Sequence, residues 1–243
     1  MLAFVRGFLY FFESFAFIGK HSLWKHVLKV CAFSLLLGLL IFGLLYKPGV
    51  WLFDWLIQFY PWARGKDVLE TLSSIILVVF LLVGFVISFR YITFIVLSPM
   101  MSALARKVEY IVTDGQSGER NPRFSIAREI WRGFRINTRN LAREATMGIV
   151  LSVIGLFPGL AIFAGPAFIM VQAYYIGFGS IDYYLEKYYD IKESVNIASK
   201  GKYWLTGIGT AYLLTLLIPF VGIFLAPSFA VVSSTRMAIS KSI

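Results

Sequence analysis

Five arginines are the residues most able to bind a ligand, because they recur at helical spacing. Steps of 4, 3, 4 and 4 residues place all five guanidinium groups on one helix face. Such a face can draw a small anion toward a membrane protein. It can equally be a solvated cytoplasmic surface that meets anionic lipid headgroups. The sequence therefore predicts a basic cytoplasmic face, with its ligand left open, made of Arg128, Arg132, Arg135, Arg139 and Arg143.

Residues suited to catalysis or metal binding are sparse elsewhere in the chain. His21 and His26 would lie about 140° apart around a helix, which suits interface histidines better than metal ligands. Asp182 and Glu186 can share a helix face, but acidic residues just beyond a membrane segment are usually solvated. Cys31 is the single cysteine, so no intrachain disulfide or Cys-based metal site can form. We predict that the protein is not an enzyme and has no catalytic residue, metal site or cofactor.

The composition indicates a membrane protein. The 243 residues are 58% hydrophobic and 15% charged, against about 25% charged residues in ordinary soluble domains. The apolar runs are continuous rather than alternating, which predicts an all-α integral membrane protein with the lipid bilayer as its first partner. The net charge is +10, and the basic residues lie beside these apolar runs, as they do in cytoplasmic loops of membrane proteins. We therefore predict no nucleic-acid partner.

The charge pattern divides the chain into helical segments of one membrane domain, 1–243. Phenylalanines at helical spacing predict an interfacial helix at the start, with packing inside the bundle as the alternative. Lysine and arginine cluster before the first span and after the second, so both termini are expected in the cytoplasm. Lys47, Pro48 and Gly49 are expected to end the first span, and Pro99 to kink or restart a later helix. The predicted segments are an interfacial helix and basic turn at 1–29, transmembrane spans at 30–46 and 71–90, cytoplasmic amphipathic helices at 91–144, and hairpins at 145–181 and 203–235.

Two proline-containing stretches predict re-entrant hairpins. Residues 145–181 hold no charged residue over 37 positions, which is long for one span and short for two. Residues 203–235 repeat the pattern. Both prolines and an Ile-Phe pair of the first stretch recur there, each 61 positions later. The first proline of each copy is expected to end the incoming helix, and the second to begin the outgoing one. Glycines should allow close backbone approach at the tips, whose expected residues are Pro158, Gly159, Gly165, Pro166, Pro219, Gly222 and Pro227.

A turn inside the hydrocarbon leaves backbone groups that protein must cover or water must reach. The two tips are therefore expected to cover one another or to be covered by a second subunit. Each outgoing helix would begin within the membrane with its N–H groups directed inward, as in transporters that bind anions. A purely structural hairpin is the alternative.

The tip sequences FPGLAIFAGP and IPFVGIFLAP, with SPMMSALA at 98–105 and IDYY at 181–184, resemble the CysZ sulfate permease family and its wider etoposide-induced-protein-like relatives. The resemblance covers nearly the whole chain, in order. It implies an oligomeric protein of the bacterial inner membrane, with two long transmembrane helices and two half-penetrating hairpins, that moves sulfate for cysteine synthesis.

The resemblance also implies an anion site in the turn before the first span. Family members typically carry Gly, an apolar residue and two Arg there, and this chain has Ser22, Leu23, Trp24 and Lys25. Ser22 can offer a hydroxyl and a backbone N–H, and Lys25 a point charge, at a helix N-terminus. Trp24 replaces the first cation, and Arg106 stands where the family tends to have Glu. The implied anion-binding positions are Ser22, Trp24 and Lys25.

The leading functional hypothesis is a membrane permease or channel for a small oxyanion, with sulfate uptake first. Its path would be made by the paired hairpin tips. The alternative is a non-transporting membrane scaffold or lipid-interacting protein, which would use the hairpins as leaflet wedges and the arginine face for headgroups.

Overall fold

The computed structural model describes residues 1–58, 89–116, 126–218 and 221–241. Within these ranges all regular secondary structure is helical, which confirms the predicted all-α fold. The helices are α1 (Leu2–Lys20), α2 (Trp24–Gln58), α3 (Phe89–Val96), α4 (Ser98–Val112), α5 (Ile126–Gly155), α6 (Pro158–Leu185), α7 (Ile191–Lys200), α8 (Lys202–Thr215) and α9 (Val221–Ser240).

Four helices in the described ranges are long and apolar enough to cross a membrane. They are α1 and the segments Trp24–Trp51 of α2, Gly159–Leu185 of α6 and Gly222–Ser240 of α9. Counting the bent pair α3 and α4 as one span gives five. The protein is therefore a multi-pass membrane protein. The predicted second span, 71–90, lies outside the described residues except for its last two positions.

Helix α2 is longer than the sequence predicts. It continues through Pro48 to Gln58, so the expectation that Lys47, Pro48 and Gly49 end it is wrong. A proline removes one backbone donor, and membrane helices tolerate that loss where neighbouring groups satisfy the freed carbonyl. Helix α4, in contrast, begins at Ser98 with Pro99 in its first turn, where a missing N–H costs nothing. The predicted restart at Pro99 is confirmed.

The chain forms two compact units, one of Met1–Ala32 with Phe94–Ile243 and the other of Phe33–Thr93. The core of the first unit includes the fully buried side chains of Phe11, Met101, Leu104 and Tyr212. Helix α1 packs there against α8 and α9, as the bundle alternative anticipated. The assignment of 1–243 to one domain stays a prediction.

Helix α8 lies at the centre of the larger unit because glycines let two other helices approach its backbone. A Cβ at Gly207 would lie 2.1 Å from the Phe4 carbonyl oxygen of α1, and one at Gly209 would lie 1.8 Å from the Ala173 carbonyl oxygen of α6. Gly7 and Gly177 make the reciprocal approaches, at 2.1 Å and 2.2 Å from α8 carbonyl oxygens. Small residues at crossings are the usual device of helix packing in membranes.

The first hairpin turns earlier than predicted. Helix α5 ends at Gly155, and α6 begins at Pro158, so the turn is Leu156–Phe157. Phe157 is extended, with φ −85° and ψ 116°, because the residue before a proline avoids the helical region. Pro158 therefore starts the outgoing helix rather than ending the incoming one. Pro166 lies inside α6, so the expectation that it starts that helix is wrong.

The second hairpin joins α8 to α9. Pro219 lies outside the described residues, and Pro227 lies inside α9 rather than at its start, which corrects the expectation for that proline too. Gly222 allows the tight turn, since a Cβ there would lie 1.8 Å from the Thr215 carbonyl oxygen. Helix α8 has 14 residues, about 21 Å, which is shorter than the roughly 30 Å hydrocarbon core. That length supports a half-penetrating hairpin, whose depth stays a prediction.

The hairpin tips are apolar and open. Leu156, Ile162 and Phe163 are more than 70% exposed at the first tip, and Leu217 is 77% exposed at the second. Within the described residues the tips thus do not bury these side chains against one another. Gly159 and Gly165 meet no described atom within 4 Å of an added Cβ, so the expected close approach holds at Gly222 but not at these two glycines.

Candidate functional site

A buried polar stripe on α4 forms one wall of the candidate site. Ser98, Ser102 and Glu109 recur at helical spacing on the face that is otherwise covered by Met101 and Leu104. Ser102 is fully buried and Glu109 is 2% exposed. A buried polar group is tolerated only when it is hydrogen-bonded, so this stripe requires polar partners from other helices. Ser102 and Glu109 find them at the C-terminal end of α6, in Glu186, Lys187 and Tyr188, whereas Ser98 Oγ has no hydrogen-bond partner among the described residues.

Arg132 of α5 is clamped by the carboxylate of Asp182 on α6. Its Nη2 donates to Asp182 Oδ1 at 2.9 Å and its Nε to Oδ2 at 3.2 Å, the bidentate geometry that suits a guanidinium. The same side chain donates to the Tyr189 carbonyl at 2.8 Å and to Ser194 Oγ at 2.7 Å. Burial acts to lower the pKa of Arg132, and the charge and hydrogen bonds of Asp182 outweigh it, so the pKa lies above its ordinary value. Arg132 thus joins α5 to the end of α6 and to the segment that contains Tyr189 and Ser194.

Glu186 lies one turn after Asp182 and is held in its neutral form. Burial, followed by the negative charge of Asp182, raises the pKa of Glu186 from 4.5 to about 8. Ser102 Oγ is within hydrogen-bonding distance of both Glu186 Oε1 and the Ser98 carbonyl, and a bond donated by Ser102 lowers the pKa of Glu186, but by less than burial and Asp182 raise it. A hydroxyl has one proton to donate. Ser102 can donate to the carbonyl and still pair with Glu186 when the carboxyl donates its own proton to Ser102 Oγ.

Two further ion pairs close the wall around these groups. Lys187 Nζ donates to both carboxylate oxygens of Glu109, at 2.9 and 3.0 Å, and the Tyr188 hydroxyl donates to Glu109 Oε1. Arg106 donates to Glu129 Oε1 at 3.0 Å. Both acidic partners are almost fully buried. Breaking such a pair by removing one partner typically costs about 3–5 kcal/mol.

A polar cavity of about 230 Å³ lies beside these ion pairs. We call it the polar cavity; its lining includes Arg128, Arg132, Glu186 and Asp190 together with Glu129, Tyr188 and Tyr189. With Glu186 protonated, the cavity presents the guanidinium groups of Arg128 and Arg132 and tyrosine hydroxyls, while the carboxylates of Glu129 and Asp190 also line it and Glu129 is paired with Arg106. Such donors can receive a small oxyanion.

The five-arginine face divides between two environments. Arg132 is largely buried in its pair with Asp182, so it is not part of a solvated surface, and that part of the prediction is wrong. Arg128, Arg135 and Arg143 are exposed, and Arg139 is half-buried with its guanidinium 5.8 Å from the Phe178 ring. The expectation that Asp182 and Glu186 are solvated is also wrong, because α4 and α5 cover them.

The predicted anion site before α2 is only partly arranged as expected. Ser22 and Lys25 are exposed at the start of the helix, and Ser22 has the left-handed φ of +54°. The Ser22 N–H donates to the Gly19 carbonyl at 3.3 Å, so this donor is already used. Trp24 packs edge-on against Phe15 and Phe229, at ring distances of 5.5 and 6.4 Å. Trp24 therefore serves the aromatic packing between α1, α2 and α9, and the roles of Ser22 and Lys25 stay predictions.

Sequence reasoning missed several residues that complete the site. Ser102, Glu109 and Glu129 were not singled out, and neither was Lys187. A usable signal exists in the i, i+4, i+11 spacing of Ser98, Ser102 and Glu109 within an apolar helix face. Polar residues on a buried face require polar partners. The first carboxylates after the uncharged run 145–181 are Asp182 and Glu186.

The fold and site define a multi-pass, all-α membrane protein with an ion-paired polar cavity at the end of a membrane helix. Residues 10–227 match the family model described as sulfate transporter CysZ/etoposide-induced protein 2.4. Because this match covers most of the 243 residues, the chain belongs to that family, which is a family of transporters. No individual curated protein matches the chain.

Proposed function

We propose that the protein is a permease or channel for a small oxyanion, with sulfate as the first candidate. Family membership supports transport, and the polar cavity supports an anionic cargo. The single observation that carries the proposal is the arrangement of Arg128 and Arg132 beside a protonated Glu186 at the end of α6. A neutral carboxyl adds no negative charge to the cavity, whereas an ionised one would repel an oxyanion.

In this proposal Ser22 and Lys25 capture the anion at the cytoplasmic mouth. Lys25 is exposed one residue into α2, where the helix dipole also favours an anion. The paired hairpins provide the path through the membrane. The protein would lie in the bacterial inner membrane as a homo-oligomer, with both termini in the cytoplasm. The open apolar tips, including Leu156 and Leu217, support a second subunit or lipid as their cover.

The test is uptake of radiolabelled sulfate into proteoliposomes that contain the full chain. We expect flux above that of empty vesicles, reduced by Lys25→Gln and by Arg128→Gln. The matched control is Lys29→Gln, which removes an equally exposed charge one turn further along α2. Folded protein that gives no flux above empty vesicles would refute the proposal. Equal losses in the control and in Lys25→Gln would refute the role of Lys25.

The same assay tests whether Glu186 faces the cargo. We expect sulfate flux to fall as the pH rises through about 8, because deprotonation places a negative charge in the polar cavity. Glu186→Gln keeps a neutral donor and should remove that fall. If the parent and the variant have identical pH profiles of sulfate flux, Glu186 does not face the cargo.

A non-transporting scaffold or lipid-interacting protein is the second candidate. The exposed tip residues, such as Phe157 and Phe163, favour it because they can insert into one leaflet. Absence of sulfate flux together with loss of vesicle binding on replacing exposed arginines would select this function.

A further inference from the structure

A second recess, which we call the lateral groove, is lined by residues of α1, α5, α6, α7 and α8. Its volume is about 680 Å³, within the roughly 300–1,000 Å³ range of small-molecule sites. Among the described residues, the lining of the lateral groove shares no member with that of the polar cavity. The groove is therefore a separate feature, and nothing in the proposed oxyanion path uses it.

The lateral groove is polar at one end and apolar at the other. Lys202 begins α8, and Gly209, seven residues or about 10 Å further on, contacts Ala173 of α6. Met170 lies about one turn beyond Ala173 toward the hairpin tip, and Met147 of α5 lines the same end. The groove thus extends about 15 Å from Lys202 at the start of α8 to Met147 and Met170, and Met170 lies near the middle of the candidate membrane span Gly159–Leu185.

The charged residue among those that line the lateral groove in the described part of the chain is a lysine. Lys202 is exposed at its polar end, beside Ser199 and Tyr203. Arg139 and Arg143 of α5 interact electrostatically with Tyr174, which lines the middle of the groove. None of the ten residues that line it in the described part of the chain is acidic. This end is complementary to an anionic headgroup.

We propose that the lateral groove binds one anionic phospholipid. Lys202 would hold the phosphate, the tyrosine hydroxyls would contact the ester region, and an acyl chain would lie between Met147 and Met170. Tyrosines at headgroup level and methionines against a flexible chain are suited to these roles. A free oxyanion would leave the apolar end unused, since Met147 and Met170 are 50% and 40% exposed. The proposal does not depend on sulfate movement.

The experiment measures lipid retained by the full-length protein. The chain is reconstituted in nanodiscs of equal phosphatidylglycerol and phosphatidylcholine, extracted into mild detergent, and analysed by native mass spectrometry. We expect phosphatidylglycerol to be retained preferentially. Lys202→Gln should reduce the preference about fivefold, the effect of one lysine at a membrane surface, and Lys202→Arg should restore it. Met147→Trp, which fills the apolar end, should reduce retention of both lipids.

Lys200→Gln is the matched control, because Lys200 is also exposed, lies two residues earlier and does not line the lateral groove. Equal retention of the two lipids by the parent would overturn the proposal. The proposal would also be overturned if Lys200→Gln lost as much of the phosphatidylglycerol preference as Lys202→Gln. Full lipid retention by Met147→Trp would overturn it too. If sodium sulfate displaces the lipid, Lys202 binds a free oxyanion and the lipid proposal is overturned.

Discussion

Replacing Glu186 with Gln should make the protein more resistant to heat at alkaline pH and little different at acid pH. The pKa of Glu186 is raised from 4.5 to about 8, first by burial and then by Asp182. The native state therefore binds one more proton than the unfolded chain between these two values, and stability falls as the pH rises through that window. Gln stays neutral and can donate its amide N–H to Ser102, so it escapes this loss.

The size of the effect follows from the two pKa values. A shift of about 3.5 units, from 4.5 to about 8, corresponds to on the order of 5 kcal/mol at about 1.4 kcal/mol per unit. For a chain of this length, about 1 kcal/mol moves the melting temperature by roughly 2–4 °C. The variant should therefore gain about 10–20 °C over the parent between pH 4.5 and pH 9.

Thermal unfolding of both proteins in the same detergent at pH 5, 7 and 9 makes the measurement. Glu193→Gln is the control, because Glu193 is exposed and Gln preserves the capping box that Glu193 forms with Asp190. That control should follow the parent at every pH. Melting curves of Glu186→Gln and the parent that run parallel from pH 5 to pH 9 would refute the assignment of a neutral, buried Glu186.

Other substitutions test the packing and pairing of the same unit by thermal unfolding. Arg132→Met should cost about 3–5 kcal/mol because it strands a buried carboxylate, and adding Asp182→Leu should recover most of the loss. Gly209→Ala should cost about 3 kcal/mol, since its Cβ would lie 1.8 Å from a carbonyl oxygen of α6, whereas Gly159→Ala should stabilise by up to about 1 kcal/mol. Ser22→Gly should stabilise by about 1 kcal/mol, because it relieves a φ of +54°, and Ser22→Ala should not.

The membrane helices and hairpins could be predicted because their signals are local. Missing charge over 145–181 and paired prolines are visible within one short window of sequence. The turn position was wrong because a proline is compatible with both the end of one helix and the first turn of the next. Phe157 resolves that choice, since its extended backbone places the break before Pro158.

The polar cavity could not be predicted in the same way. Its contacts join residues that are far apart in the chain, 50 positions for Arg132 with Asp182 and 84 for Ser102 with Glu186. Each of these residues alone is consistent with a solvated surface. Only the packing of α4 and α5 against the end of α6 removes water from Glu186, and helical periodicity carries no information about which helices pack together.

The arginine face shows why a shared helix face does not imply a shared role. Arg132 is an ion-pairing residue that lines the polar cavity together with Arg128, while Arg139 and Arg143 lie outside the lining of both the polar cavity and the lateral groove. Replacing all five arginines with Gln would therefore strand Asp182 and lower the stability of the fold, whatever the function of the others. A variant that keeps Arg132 and replaces the remaining four leaves the ion pair intact. Its effect on sulfate flux and on phosphatidylglycerol retention then reports on these four charges without the loss of the Arg132–Asp182 pair.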